Sequence, residues 1–212
     1  MDIVLFGIQG SGKGTQGAII AKKYNLKIFE TGAALRTLAK EESPLGNKVK
    51  EIIEAGKLVP TEVVMEIIED FTKKLEPGQN ALFDGIPRKE DQRIALDNLL
   101  DKLGRDFKGV LIDISLDEAM HRLTTRRICE GCKKVFPVFY KAPTCDACQG
   151  NLITRTDDNA ESIKARLEAY DQETKPCIEY YESQEKIVRI NGEQSIEEVS
   201  KELIEKVAPI FT

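Results

Sequence analysis

Ile3-Val4-Leu5-Phe6-Gly7-Ile8-Gln9-Gly10-Ser11-Gly12-Lys13-Gly14-Thr15 opens the chain with an apolar run that gives way to a glycine-rich loop. The spacing is glycine, four residues, then Gly-Lys, with the hydroxyl of Thr15 displaced one place by Gly14. Phosphate oxygens need several donors converging on one point. Glycines let the backbone curl its N–H groups inward, and a following helix turns its positive end to the anion. Lys13 would reach the terminal phosphates and Thr15 a phosphate or a metal shell. Glycines also mark ordinary turns, so context decides. Here a strand pattern precedes the loop, and Ala18-Ile19-Ile20-Ala21 leads into a helical pattern behind it.

Working outward, strands are expected at Asp2 to Gly7, Lys27 to Glu30, Asn80 to Asp84, Gly109 to Ser115 and Lys186 to Asn191. They are short and largely apolar, as in a parallel sheet covered on both faces. Helical spacing fills the gaps, for instance Val63, Ile67 and Phe71 within Glu62 to Leu75. Strand and helix in alternation predict an α/β fold. Two stretches break the rhythm. Thr31 to Pro60 is helical throughout, with Ser43-Pro44-Leu45-Gly46 read as a turn and Gly56 near a helix end. Arg127 to Thr156 contains Pro137 and Pro143 but no convincing helix. Both read as insertions in the core.

The second insertion carries Cys129-x2-Cys132 and, twelve residues on, Cys145-x2-Cys148. Two tight thiol pairs suit a tetrahedral four-cysteine zinc site, with no position left open for water, hence a structural metal. The only histidine, His121, lies outside the cluster, and Cys177 is left over.

Arginines surround this insertion: Arg122, Arg126, Arg127, Arg155 and Arg166. Arg166 falls on the apolar stripe Ile163, Leu167, Tyr170 of a helix expected at Ala160 to Tyr170, so its guanidinium requires an anionic partner. Asp158 with Glu161 reads as the capping box of that helix. Arg88 follows a strand end in Asp84-Gly85-Ile86-Pro87-Arg88, on the edge where ligands sit in open α/β sheets. Asp84 is the best carboxylate for organising Mg²⁺ through water.

The motifs GIQGSGKGTQ, ETGAALR, LGNKVKEIIEAGKLVPTEVV, DGIPRKEDQ, HRLTTRRICEGC, CDACQGNLITRTDDNAESIKARLEAY and YYESQEKIVRINGEQSIEEV run from end to end in order. With them the chain resembles the adenylate kinases, in the long form whose lid carries zinc. The resemblance implies a P-loop three-layer fold with a five-stranded parallel sheet. The core would be residues 1–29, 60–122 and 160–212, the nucleoside-monophosphate arm 30–59, and the zinc-stapled β lid 123–159. It implies Mg²⁺-dependent transfer of the terminal phosphoryl of ATP to AMP, giving two ADP.

By the same resemblance, ATP would be held by Gly10, Ser11, Gly12, Lys13, Gly14, Thr15, Arg122, Arg126 and Gln194. The AMP site would comprise Thr31, Gly32, Arg36, Lys57, Val59, Gly85, Arg88, Gln92, Arg155 and Arg166. The catalytic set would be Lys13, Asp84, Arg88, Arg126, Arg155 and Arg166. Asp157 and Asp158 correspond to aspartates that pair with lid or core arginines. Three residues depart from the family pattern: Gln9 for proline, Ala33 for an aspartate and Ile86 for phenylalanine. The spacer between the cysteine pairs is also shorter. These bear on rate and affinity rather than reaction type.

The formal charge of −5 gives no support to binding of nucleic acid or anionic membrane. No apolar run reaches the length of a membrane span, and the start lacks a basic signal region, so a cytoplasmic protein is expected. The family adds the expectation of a monomer. Rivals are a kinase for UMP, CMP or a GTP donor, and a zinc-ribbon binding module without turnover. Thr31 and Gln92 favour adenine, and the number of arginines favours turnover. A guanine-reading Asn-Lys-x-Asp motif is absent from the sequence.

Overall fold

The computed structural model describes residues 1–136, 140–155 and 158–211. The chain begins with β1 (Asp2–Phe6), α1 (Lys13–Tyr24), β2 (Lys27–Glu30), α2 (Thr31–Leu38), α3 (Pro44–Glu54), α4 (Thr61–Thr72) and β3 (Ala81–Asp84). It continues through α5 (Glu90–Lys102), β4 (Phe107–Asp113) and α6 (Leu116–Thr125) into the short strands β5 (Arg127–Cys129), β6 (Val135–Phe136) and β7 (Leu152–Ile153). After α7 (Ala160–Ala169), a π-helical turn at Tyr170–Thr174 leads to α8 (Lys175–Ser183), β8 (Ile187–Asn191) and α9 (Ile196–Val207).

Five strands form one parallel sheet in the order β2-β3-β1-β4-β8. Alternate residues of β1 explain its two buried faces. Val4 and Phe6 join Phe83, Leu111 and the helical side chains Val64, Leu96 and Tyr181, whereas Ile3 and Leu5 join Leu82, Val110, Ile20 and Leu203. The α/β sandwich expected from the sequence is therefore the one observed. Because β1 connects to β2 on one side and β3 returns past it to β4, the strand order reverses beside β1. The carboxyl ends of β1, β3 and β2 open into that crevice, where ligands bind in such sheets.

Several boundaries shift. β4 starts and stops two residues before the expected Gly109 to Ser115, because Ser115 leaves the sheet to cap α6, its side chain accepting from Glu118 N. The expected turn at Ser43 to Gly46 is the start of α3. Ser43 caps it through Gly46 N, and Pro44 occupies a first-turn position that needs no N–H donor. The cap of α7 is also not the expected one: Asn159 accepts from Ser162 N, leaving the Asp158 carboxylate for other partners. The expected pairing of Asp157 and the role of Pro137 lie outside the described residues.

Among the described residues, the second insertion builds a separate three-stranded antiparallel sheet, β6-β5-β7, with a cluster of Cys129, Phe136 and Cys145 backed by Tyr140 and Leu152. Among the described residues no helix is long and apolar enough to cross a membrane.

Candidate functional site

The loop from Gly7 to Gly12 leaves the end of β1 and delivers the chain to α1 by way of three glycines with φ between +88° and +143°. At Gly7 a Cβ would lie 2.5 Å from Ile112 O and 2.6 Å from Ser11 Oγ, so this position accepts glycine alone. Gly12, by contrast, faces open space. No side chain caps α1, and its first N–H groups point into the loop. Lys13 folds back across it, Nζ donating to Gly7 O at 2.7 Å and Ile8 O at 3.0 Å. Burial pulls its ammonium down from 10.5 to about 8; Asp84 opposes this, while Arg88 and Arg126 add to it.

Asp84, buried at the end of β3, stands across from the start of α1, its Oδ2 4.0 Å from where a Cβ on Gly14 would be. Burial raises its pKa, Lys13 counteracts, and Glu30 raises it further. A carboxylate beside an uncapped helix start and the Thr15 hydroxyl is an oxygen set that suits a hydrated Mg²⁺. Just beyond, Arg88 is held by Nε to Gly85 O at 2.9 Å, its own N–H donating to Gln92 Oε1 at 2.9 Å. Its guanidinium is buried, which lowers its pKa, and Asp84 opposes that effect. A small cavity separates the two sides of the crevice, lined by Gly7, Gln9 and Lys13 on one side, Gly85 and Arg88 on the other, and Thr174 at its edge.

Among the described residues, three buried side-chain oxygens lack a hydrogen-bond partner: Gln9 Oε1, Ser11 Oγ and Thr31 Oγ1. Gln9 lines this cavity, while Ser11 Oγ lies 2.6 Å from the Cβ position of Gly7 and Thr31 Cβ 3.5 Å from that of Gly85, two glycines that also line it. Buried oxygens are almost always paired. Their coincidence here marks a place built to receive a polar ligand.

The remaining residues fall into two groups. Arg126 and Arg166 converge on the fully buried Asp158 carboxylate: Arg126 donates at 2.8 and 2.6 Å, and Arg166 Nη2 at 2.8 Å. Burial alone would raise the pKa of Asp158, but Arg126 and then Arg166 outweigh it and hold it low. The charge of Arg126 is felt at Lys13 and that of Arg166 at Arg88, so the cation cluster is continuous. Arg155 lies on the return from β7, its carbonyl accepting from Asp158 N.

Elsewhere, Arg122 ties Glu118 to Gly192 O, and Gln194 Nε2 ties Asn191 O to Glu202. Arg36 lies over Gly32, its Nη2 donating to Glu30 at 2.9 Å. Lys57 is exposed on a groove with Lys89 and Glu173, next to the buried Val59. Arg127 turns away to Tyr140 O, and His121 is a surface residue.

Sequence reasoning missed Glu30, which pairs in register with Asp84 and whose charge reaches Lys13, Asp84 and Arg88. That register, two acids ending adjacent strands, was the available signal.

The four expected thiols lie together. Cys129, Cys132, Cys145 and Cys148 have their sulfurs within 4.8 Å of one another, and all are free. Cys129 and Cys148 are 3.3 Å apart and Cys132 and Cys145 3.5 Å, near the ~3.8 Å edge of a tetrahedron with Zn–S bonds of about 2.3 Å. Backbone N–H groups of Cys132 and Ala147 donate to Cys129 and Cys145 Sγ, each at 3.4 Å, as suits thiolates. A Cβ on Gly150 would come within 2.9 Å of Cys129 Sγ, so this turn is cut to fit the sulfur cage. The donor set fits zinc.

Comparison with known proteins agrees with this geometry. The family model described as adenylate kinase matches residues 5–186. The adenylate kinase of Alkaliphilus oremlandii is 40% identical, with 96% of this chain and 97% of the relative covered. That of Caldicellulosiruptor bescii is 38% identical over the same shares, and that of Borrelia duttonii 37% identical over 99% of both chains.

Proposed function

This chain belongs to the adenylate kinase family, and from that premise we propose that it transfers the terminal phosphoryl of ATP to AMP, giving two ADP. The observation that carries the reading is the crevice where Lys13 faces Arg88 across a cavity lined by Gln9 with its unpartnered oxygen, the buried Asp84 being electrostatically coupled to both cations. Two polyphosphates brought together repel each other, and their transition state spreads charge over the passing oxygens. Fixed cations around a dry cavity offset that repulsion and keep water from taking the phosphoryl.

In this reading Gly10 to Thr15 hold the donor phosphates through backbone N–H groups, and Lys13 exchanges its two carbonyl partners for phosphate oxygens. Arg88 and Arg36 take the acceptor phosphate, Arg36 releasing Glu30. Thr31, Gly85 and Gln92 shape the acceptor-base side, with Gly32, Lys57 and Val59 at its rim. Arg122 and Gln194 border the donor base. Arg126 and Arg166 close on the phosphates as their hold on Asp158 loosens, and Arg155 joins them from the return after β7. Asp84 and Thr15 would hold Mg²⁺ through its water shell, and that ion would neutralise charge on the donor. Zinc in the four-cysteine cage would fold the β lid and take no part in the chemistry.

The corresponding division is a core of 1–29, 60–122 and 160–212, an arm of 30–59 and a lid of 123–159, working as a cytoplasmic monomer. Initial rates of ADP formation from Mg-ATP with AMP, UMP, CMP or GMP test the reading. Strong preference for AMP is expected. Preference for another acceptor would overturn the base assignment, and no transfer to any would overturn the reaction.

A further inference from the structure

Around the small cavity between the loop and Arg88, Lys13, Arg88 and Thr174 are engaged by protein, and among the described residues the one lining side-chain atom that is both buried and unpartnered belongs to Gln9. Lys13 Nζ is bound to Gly7 O and Ile8 O, Arg88 Nε to Gly85 O, and Thr174 Oγ1 donates to Arg88 O at 2.8 Å. Gln9 lines the same space with its Oε1 buried and unpartnered. It sits on the loop that leads to Lys13, facing Gly85 and Arg88 across the cavity. Donor phosphates on the loop and an acceptor phosphate at Arg88 would bring the transferred group through this gap.

We propose that the Gln9 carboxamide is a catalytic residue that donates a hydrogen bond to the phosphoryl group as it passes from donor to acceptor. A half-turn about its terminal torsion exchanges oxygen for Nε2 in nearly the same volume, so the side chain can present a donor to an arriving phosphoryl oxygen. Being neutral, it adds a donor to a cavity already lined by Lys13 and Arg88 without adding a third positive charge to it. A partner found only when the phosphoryl is in flight stabilises the transition state more than either bound substrate, and so acts on turnover rather than affinity. The π-helical turn from Tyr170 to Thr174 lines the cavity on another side, so three separate segments surround the place of this contact.

The inference rests on the phosphoryl-transfer reading above, and the test separates the two. Initial rates are measured for the full-length chain and for Gln9→Met and Gln9→Glu, with thermal unfolding of all three. Gln9→Met keeps the length and removes both hydrogen-bonding ends. It is expected to lower kcat about tenfold, with KM for ATP and AMP within about twofold and an unchanged or higher Tm. Gln9→Glu keeps an acceptor, loses the donor and adds negative charge, and is expected to lower kcat at least as far. Native turnover in Gln9→Met would make the side chain a packing element and overturn the proposal. Native turnover in Gln9→Glu would assign it an acceptor role and overturn it equally. Absence of transfer in the unsubstituted chain would instead strike the reaction assignment itself.

Discussion

The phosphate loop and the β lid are held in shape by opposite means. The loop hangs from β1, whose Ile3 and Val4 are wholly buried, and its conformation is fixed by glycine backbone and by contacts to the sheet. Among its described residues the lid has three short strands and a cluster of Cys129, Phe136 and Cys145 backed by Tyr140 and Leu152, a much smaller core than the one under the loop. Its four clustered thiols offer a cross-link that the core lacks, and the zinc proposed for them would supply its order. The contrast teaches that one chain can shape one region by burial and backbone and another by a cluster of thiols, and that each should fail in its own way.

Lys13→Ala breaks the comparison on the loop side and should have the largest effect. It is expected to cut kcat about 10³-fold or more while leaving zinc content and Tm intact. Retention of most turnover would remove Lys13 from its assigned place. Cys129→Ser probes the other side. Loss of zinc with a fall in Tm of about 10 °C is expected, while transfer at low temperature persists. Unchanged zinc content measured by atomic emission would refute the four-thiolate cage.

Between the two regions stands Asp158, which ties Arg126 at the lid's edge to Arg166 on α7. Because its pKa is held low, the stability it contributes is complete above the ordinary carboxylate value and is lost as pH falls through the depressed one. Asp158→Asn should cost about 3 kcal/mol at neutral pH and flatten the acid limb of denaturant-melt stability. An acid limb unchanged by the substitution would contradict this role.

The smallest effect concerns pH and donor affinity. Lys13 is charged below about 8, and bound phosphates favour that form. ATP affinity, followed by calorimetry, should be level below pH 8 and fall several-fold by about pH 9, the slope disappearing in Lys13→Arg. A flat profile in the native protein would show that the ammonium does not respond to its surroundings in this way.

How much of this was written legibly in the chain depended on sequence distance. The loop and the cysteine pairs are contiguous motifs, and the parallel sheet follows from short apolar runs between helical ones. The Asp158 network was half legible. Arg166 on an apolar stripe demanded an anion, but Asp158 was read as the cap of α7, and only the geometry gave that role to Asn159 and freed Asp158 to be the anion. Glu30 and the cavity at Gln9 were hidden for a different reason. Their neighbours Asp84, Arg88 and Thr174 arrive from distant segments through the β2–β3 register and the π-helical turn, which no local spacing announces.

The most direct test of the account is a two-substrate rate experiment in which Mg-ATP and AMP are both varied and ADP is measured. Direct passage across the cavity between Lys13 and Arg88 predicts double-reciprocal lines that intersect, the signature of both substrates bound together, with no phosphate left on the protein. Parallel lines with label from the terminal phosphoryl attached to the chain would mean a phosphorylated intermediate, and would contradict it.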